Sequence, residues 1–214
     1  MTIIQFIDGP LWIFSATVFV IGVVWRLLGI WRAGVRRDHS EPRASAGAGA
    51  AIAVFSRFLP HREMRSRTAF QFFWGYVFHV GLFVLLFFGR PHVEFYENRV
   101  IGFGWATIPD WAFLLVSELA FAGILVLLLY RAMEPVTRLL SSRGDYFGSI
   151  LIFFVMLSGC MAMDQSSEPL RAAHLLLAEV LLVYFPFGSL MHAFLFVPSR
   201  AFTGAYFRRR GVAA

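Results

Sequence analysis

The sequence predicts an all-α, polytopic membrane protein: a bundle of five transmembrane helices, N-terminus outside and C-terminus in the cytoplasm. Three observations predict it. The chain of 214 residues is 58% hydrophobic and only 15% charged, with a mean hydropathy of +0.68, whereas a soluble domain carries about a quarter charged residues. Five apolar runs are each long enough to cross a bilayer core of about 30 Å. The lysine-free chain keeps most of its arginines on one side of those runs.

The first span is expected at about 10–31, where Pro10 suits an opening helical turn. The N-terminus lacks a basic n-region, so the run reads as a span and not as a cleavable signal. Residues 32–67 form a basic loop whose Ala/Gly-rich middle, SAGAGAAIAVFSRF, suits a short helix at the membrane surface. The second span, about 68–90, reads TAFQFFWGYVFHVGLFVLLFFGR. The third, about 110–130, opens on Asp110, a favourable helix start. The fourth is about 146–163. The fifth, about 172–196, is AAHLLLAEVLLVYFPFGSLMHAFLF, and a basic tail follows. The whole chain, 1–214, is expected to be one membrane domain.

Loops 1–2 and 3–4 and the tail hold 15 of the 19 arginines. By the positive-inside bias they are cytoplasmic, so the termini lie outside and inside respectively. This clustering separates the net charge of +6 from a nucleic-acid signal. A single cysteine, Cys160, excludes an intrachain disulfide, a four-cysteine Fe–S cluster and CxxCH attachment of haem. Cys160 reads as a packing residue.

His174 and His192 lie 18 residues apart in the fifth run. On one continuous helix they share a face, roughly 27 Å apart along the axis. Imidazoles in lipid are costly and usually face a bundle interior with a partner. Haem iron suits a neutral imidazole in such a bundle. In depth, His79 of the second span matches His192 towards the cytoplasm, and His92 matches His174 towards the outside. His92 follows His79 by 13 positions, about 140° off its face on an ideal helix. Unwinding at Pro91 would re-aim it, or it is a loop histidine. His39 and His61, among arginines, read as solvated. Gly75, Gly81 and Gly89 read as helix-packing positions.

Five spans, FHVG in the second and a His-x17-His pair in the fifth resemble the gamma (cytochrome b) subunit of respiratory nitrate reductase. Related members serve sulfite-reductase-linked and heterodisulfide-reductase-type membrane complexes. The resemblance covers nearly the whole chain. It implies two b-type haems, the cytoplasm-side one on His79 and His192. In the family the second span supplies two ligands ten residues apart. Here that position is Gly89, in Leu86-Phe87-Phe88-Gly89, so the outer haem uses His92 with His174 or is absent.

The resemblance further implies electron transfer between membrane quinone on the outer side and a cytoplasmic Fe–S subunit bound to a catalytic subunit. The setting would be a bacterial or archaeal cytoplasmic membrane. The chain would then be an electron-transfer subunit of an oxidoreductase, without the terminal substrate's chemistry. Quinol oxidation releases protons, so ionisable groups near the outer edge are candidates for the quinone site: Arg90, Glu94, Asp110, Glu118, Asp164 and Glu179. Arg200 and Arg208–Arg210 are candidates for docking the partner. The alternatives are a haem-free or single-haem membrane anchor without a quinone site, and a transporter. Against a transporter, no internal repeat or matched pair of broken helices is visible.

Overall fold

A computed structural model describes residues 1–34, 39–163 and 166–212, and among them every regular element is helical. Five helices are long and apolar enough to cross a membrane: Ile3–Ala33 (α1), Arg62–Phe88 (α3), Asp110–Met133 (α5), Arg143–Met161 (α7) and Glu168–Phe187. Ala46–Ser56 (α2), Arg90–Tyr96 (α4) and Pro135–Leu140 (α6) are shorter. The fifth span is an α-helix, Glu168–Tyr184 (α8), carried on by a 3-10 turn, and His192–Arg209 (α9) follows. The number and order of spans match the sequence expectation. In each, only 11–28% of the apolar window is buried. Apolar side chains that point outward at this density suit a lipid solvent, which makes the chain a multi-pass membrane protein.

The chain divides into two compact units. The first joins Met1–Ala16 to Phe70–Val183. Its core is Phe78 and Leu85 of α3, Phe113, Ala120 and Ile124 of α5, and Met156 of α7, with Cys160 packed against it as expected. α3 and α5 approach closely because small residues meet there: a Cβ on Gly123 would stand 2.8 Å from the Phe78 backbone nitrogen. Gly81 is likewise a packing position, against Ala120. Replacing Gly123 with leucine forces the two helices apart. The expected cost is about 1–3 kcal/mol, read as a lower unfolding midpoint in detergent.

The second unit joins Thr17–Ala69 to Tyr184–Ala214. Here one expectation is corrected. The fifth run is not one helix over 172–196. Pro186 has no N–H to continue the ladder, and Gly188 is extended at φ −100°, ψ −178°. Two 3-10 turns, Phe185–Phe187 and Ser189–Met191, replace the helix there, and His192 opens α9. The basic tail is helical, as α9. It lies against α2 because Gly49 and Gly204 let the two backbones touch. Arg200 closes this pair from one side, its guanidinium 4.8 Å from the Phe58 ring centre. The surface helix expected in the 32–67 loop is therefore α2, held by a partner helix.

Candidate functional site

The candidate site forms where α3 stops. Gly89 leaves the helical region at φ −67°, ψ 130°, and α4 begins beyond it with Pro91 in its first turn, where the missing N–H costs nothing. The carbonyls of the last turn of α3 are then capped from outside the helix. The Trp105 indole N–H donates to Phe87 O at 2.6 Å, and the Ile108 N–H donates to Phe88 O at 2.9 Å. The His92 ring donates from Nδ1 to Leu85 O at 2.9 Å. The break at Gly89–Pro91 thus re-aims His92 by folding it back onto the helix it left.

His174 lies in the second turn of α8. Its Nδ1 is 3.1 Å from Val155 O and 3.2 Å from Ser158 Oγ, both on α7. The ring rests over Gly159, where a Cβ would stand 2.9 Å from Cε1. Only glycine leaves that space for the imidazole. The centres of the His92 and His174 rings are 6.2 Å apart, with planes inclined at 51°. A carbonyl can only accept, so Nδ1 carries the proton in both rings and the lone pair lies on Nε2. Burial holds the His92 imidazolium below its usual pKa, despite the opposing Leu85 carbonyl, and so favours the neutral ring.

The two rings open onto a cavity of about 250 Å³ in the first unit. Its charged lining is Asp8, Glu94, Arg99 and Arg171. Asp8 sits in a π-helical turn of α1, Ile7–Leu11. Its Oδ2 accepts from Arg99 Nη2 at 2.9 Å and from Arg171 Nη2 at 3.4 Å. Beside the cavity, Tyr96 stacks on Trp105 with ring centres 5.6 Å apart. Burial pushes the Tyr96 phenol up from its ordinary pKa.

The other two histidines repeat the local pattern. His79 Nδ1 donates to Gly75 O at 2.7 Å, in the first unit. His192 Nδ1 donates to Ser189 O at 2.8 Å, in the second unit, beside a cavity of about 320 Å³ that Arg26 also lines. Backbone carbonyls thus set one tautomer in all four rings, the one that presents Nε2 as a ligand. His39 and His61 are exposed, as expected.

His92 and His174 together bring two imidazoles to the cavity. Among the described residues no three His, Cys, Asp or Glu side chains converge as a closed metal site. Paired neutral imidazoles are a ligand set that haem iron takes.

The six quinone-site candidates separate. Glu94 lines the cavity. Arg90 and Asp110 pair with each other at 2.7 Å on the exposed surface. Glu118 is exposed on α5. Asp164 lies outside the described residues. Glu179 is buried, and its Oε2 lacks a hydrogen-bond partner. Sequence reasoning missed Asp8, Arg99 and Arg171 as one group. Asp8-Gly9-Pro10 carried only a helix-start signal, and the contact of Asp8 with Arg99 spans 91 positions.

No protein-family model and no solved structure matches the chain. A protein of Nitratidesulfovibrio vulgaris (strain Hildenborough) is 27% identical over 216 residues, covering 96% of this chain and 94% of that one. Its printed name states no activity.

Proposed function

We propose that this chain is a b-type cytochrome subunit of a respiratory oxidoreductase, similar to the nitrate reductase gamma subunit, set in a bacterial or archaeal cytoplasmic membrane. The observation that carries this reading is the His92–His174 pair: two half-buried imidazoles on separate helices, 6.2 Å between centres, each Nδ1 on a backbone carbonyl. His92 and His174 hold an outer haem, and the family resemblance assigns His79 and His192 to a cytoplasm-side haem. When bound, the haems supply reversible one-electron storage.

The chain's own residues do the rest. The Leu85 and Val155 carbonyls fix which nitrogen of His92 and His174 carries the lone pair. Gly159 leaves room for the His174 ring. Arg99 and Arg171 hold the Asp8 carboxylate at the cavity. Quinol is the substrate class at the outer side. The N-terminus faces outside, and the arginine-rich segments, with Arg200 and Arg208–Arg210, face a cytoplasmic Fe–S subunit that carries electrons to a catalytic subunit.

Protons leaving outside while electrons move inward make turnover electrogenic. Inside-in proteoliposomes given quinol and an internal electron acceptor are expected to acidify the external medium. Internal acidification, or none with turnover intact, contradicts the assigned polarity.

A further inference from the structure

Arg26 interrupts an otherwise apolar stretch of α1, TVFVIGVVWRLLGIW over residues 17–31. A guanidinium inside a span is costly unless it meets water, a backbone carbonyl or an anion. Arg26 lines a groove of about 320 Å³ with Ser189 and Met191 of the second 3-10 turn and Leu195, Phe196 and Ser199 of α9. All of these residues belong to the second unit. The walls are fixed. A Cβ on Gly22 would stand 2.6 Å from Pro186 Cγ, so α1 lies hard against the turn. The Phe19 and Phe185 rings meet edge to face, 5.3 Å between centres, and Met191 is buried. Neither wall carries a carboxylate: residues 9–37 and 180–214 contain no Asp or Glu. Among the described residues no ion pair includes Arg26. A second cation stands at the rim, the Arg200 guanidinium, 5.5 Å from the centre of the Phe196 ring. The second unit as a whole holds 13 arginines against three acidic residues. The groove therefore offers guanidinium and hydroxyl donors beside an apolar surface, and the anion that balances Arg26 comes from outside the chain.

We propose that this groove binds one anionic phospholipid, with its phosphate on Arg26, the Ser189 and Ser199 hydroxyls donating to it, and its acyl chains along Leu195 and Phe196. Charge and polarity select this occupant. A small soluble anion gains nothing from the apolar surface of Met191, Leu195 and Phe196. A zwitterionic headgroup would bring its ammonium among arginines, with no carboxylate in either wall to receive it. An amine-free phosphodiester with acyl chains meets both requirements, and basic pockets between membrane helices take such headgroups. The site goes beyond the cytochrome reading and does not rest on it. It uses no atom of His192, whose Nδ1 donates to Ser189 O at 2.8 Å.

The test uses the full-length protein in non-ionic detergent, with native mass spectrometry counting the dioleoylphosphatidylglycerol retained per chain. Dioleoylphosphatidylcholine is the control. Both are titrated at about 0.5 M ammonium acetate, where a Debye length of about 4 Å screens exposed charges more than a groove. The wild-type chain is expected to retain one phosphatidylglycerol in preference to phosphatidylcholine. Arg26→Gln should weaken that binding by about tenfold or more, through loss of a charge-assisted bond. The double variant Ser189→Ala, Ser199→Ala should weaken it by about threefold or more. Arg62→Gln removes the same charge from an exposed turn outside the groove and should leave binding unchanged. Equal weakening by Arg26→Gln and Arg62→Gln makes the attraction diffuse and overturns the site, as does equal retention of the two lipids. Displacement of the lipid by glycerol 3-phosphate assigns the groove to a soluble phosphate compound and overturns the lipid. A wild-type chain that retains no phosphatidylglycerol overturns the proposal and leaves the groove to a partner helix. If Arg26→Gln does not assemble, the serine variant decides: wild-type retention there overturns the site. Haem content enters none of these readouts, so failure of the cytochrome reading and failure of the lipid site are separately visible.

Discussion

Replacing His92 with alanine is expected to remove one of two b-type haems and leave the other spectrally unchanged. The imidazole is one of two on the cavity, 6.2 Å between ring centres, and nothing else on α4 supplies a neutral nitrogen there. A five-coordinate haem on His174 alone would bind weakly, so haem per chain should fall from two to one. The fold should survive. The Nδ1 bond to Leu85 O contributes about 1 kcal/mol, and Gly89 N–H already satisfies the same carbonyl at 3.0 Å. Electron delivery from quinol should fall by two orders of magnitude or more, and external imidazole should restore part of the lost absorbance. Unchanged haem content in His92→Ala would make His92 a loop residue and move the outer ligand elsewhere.

The second large effect is expected from a residue that carries no chemistry. Gly159→Val puts a branched side chain where a Cβ alone would meet His174 Cε1 at 2.9 Å and Nδ1 at 3.2 Å. The ring cannot keep both that position and its bond to Val155 O. Overpacking of this kind costs about 1–3 kcal/mol, and the strain falls on the ligand because α7 is fixed against the core through Met156. The variant should lose the same haem as His92→Ala and retain the other. Gly159→Ala should shift the outer haem's potential or its low-spin signal without full loss. A Gly159→Val protein with both haems in wild-type spectral form would remove the ring-over-glycine contact from the argument for ligation.

The five spans were legible because hydropathy is a property of composition and length, which the sequence displays directly. The helical ends were less so. The break in the fifth run follows from Pro186 and Gly188, two residues visible in the sequence, yet a uniformly apolar run of 25 residues reads as one helix unless the proline is given more weight than the hydropathy. The tail's basic composition said nothing of its helix, and its pairing with α2 depends on Gly49 and Gly204, 155 positions apart.

The four histidines were singled out by their spacing and depth. Their tautomers were not, because Gly75, Leu85, Val155 and Ser189 contribute backbone carbonyls, which leave no trace in residue identity. The role of Gly89 was half visible. Its place where a histidine was expected pointed to an altered second ligand. That the same glycine ends α3 and turns His92 back towards the bundle appeared only with the fold.

The proposed two haems between paired histidines are counted by a pyridine haemochrome assay on the purified wild-type chain in mild detergent, with protein measured by amino-acid analysis. The expected value is two b haems per chain, low-spin and six-coordinate in the oxidised spectrum. A chain isolated intact from haem-sufficient cells with no haem, and none taken up on reconstitution, would contradict it.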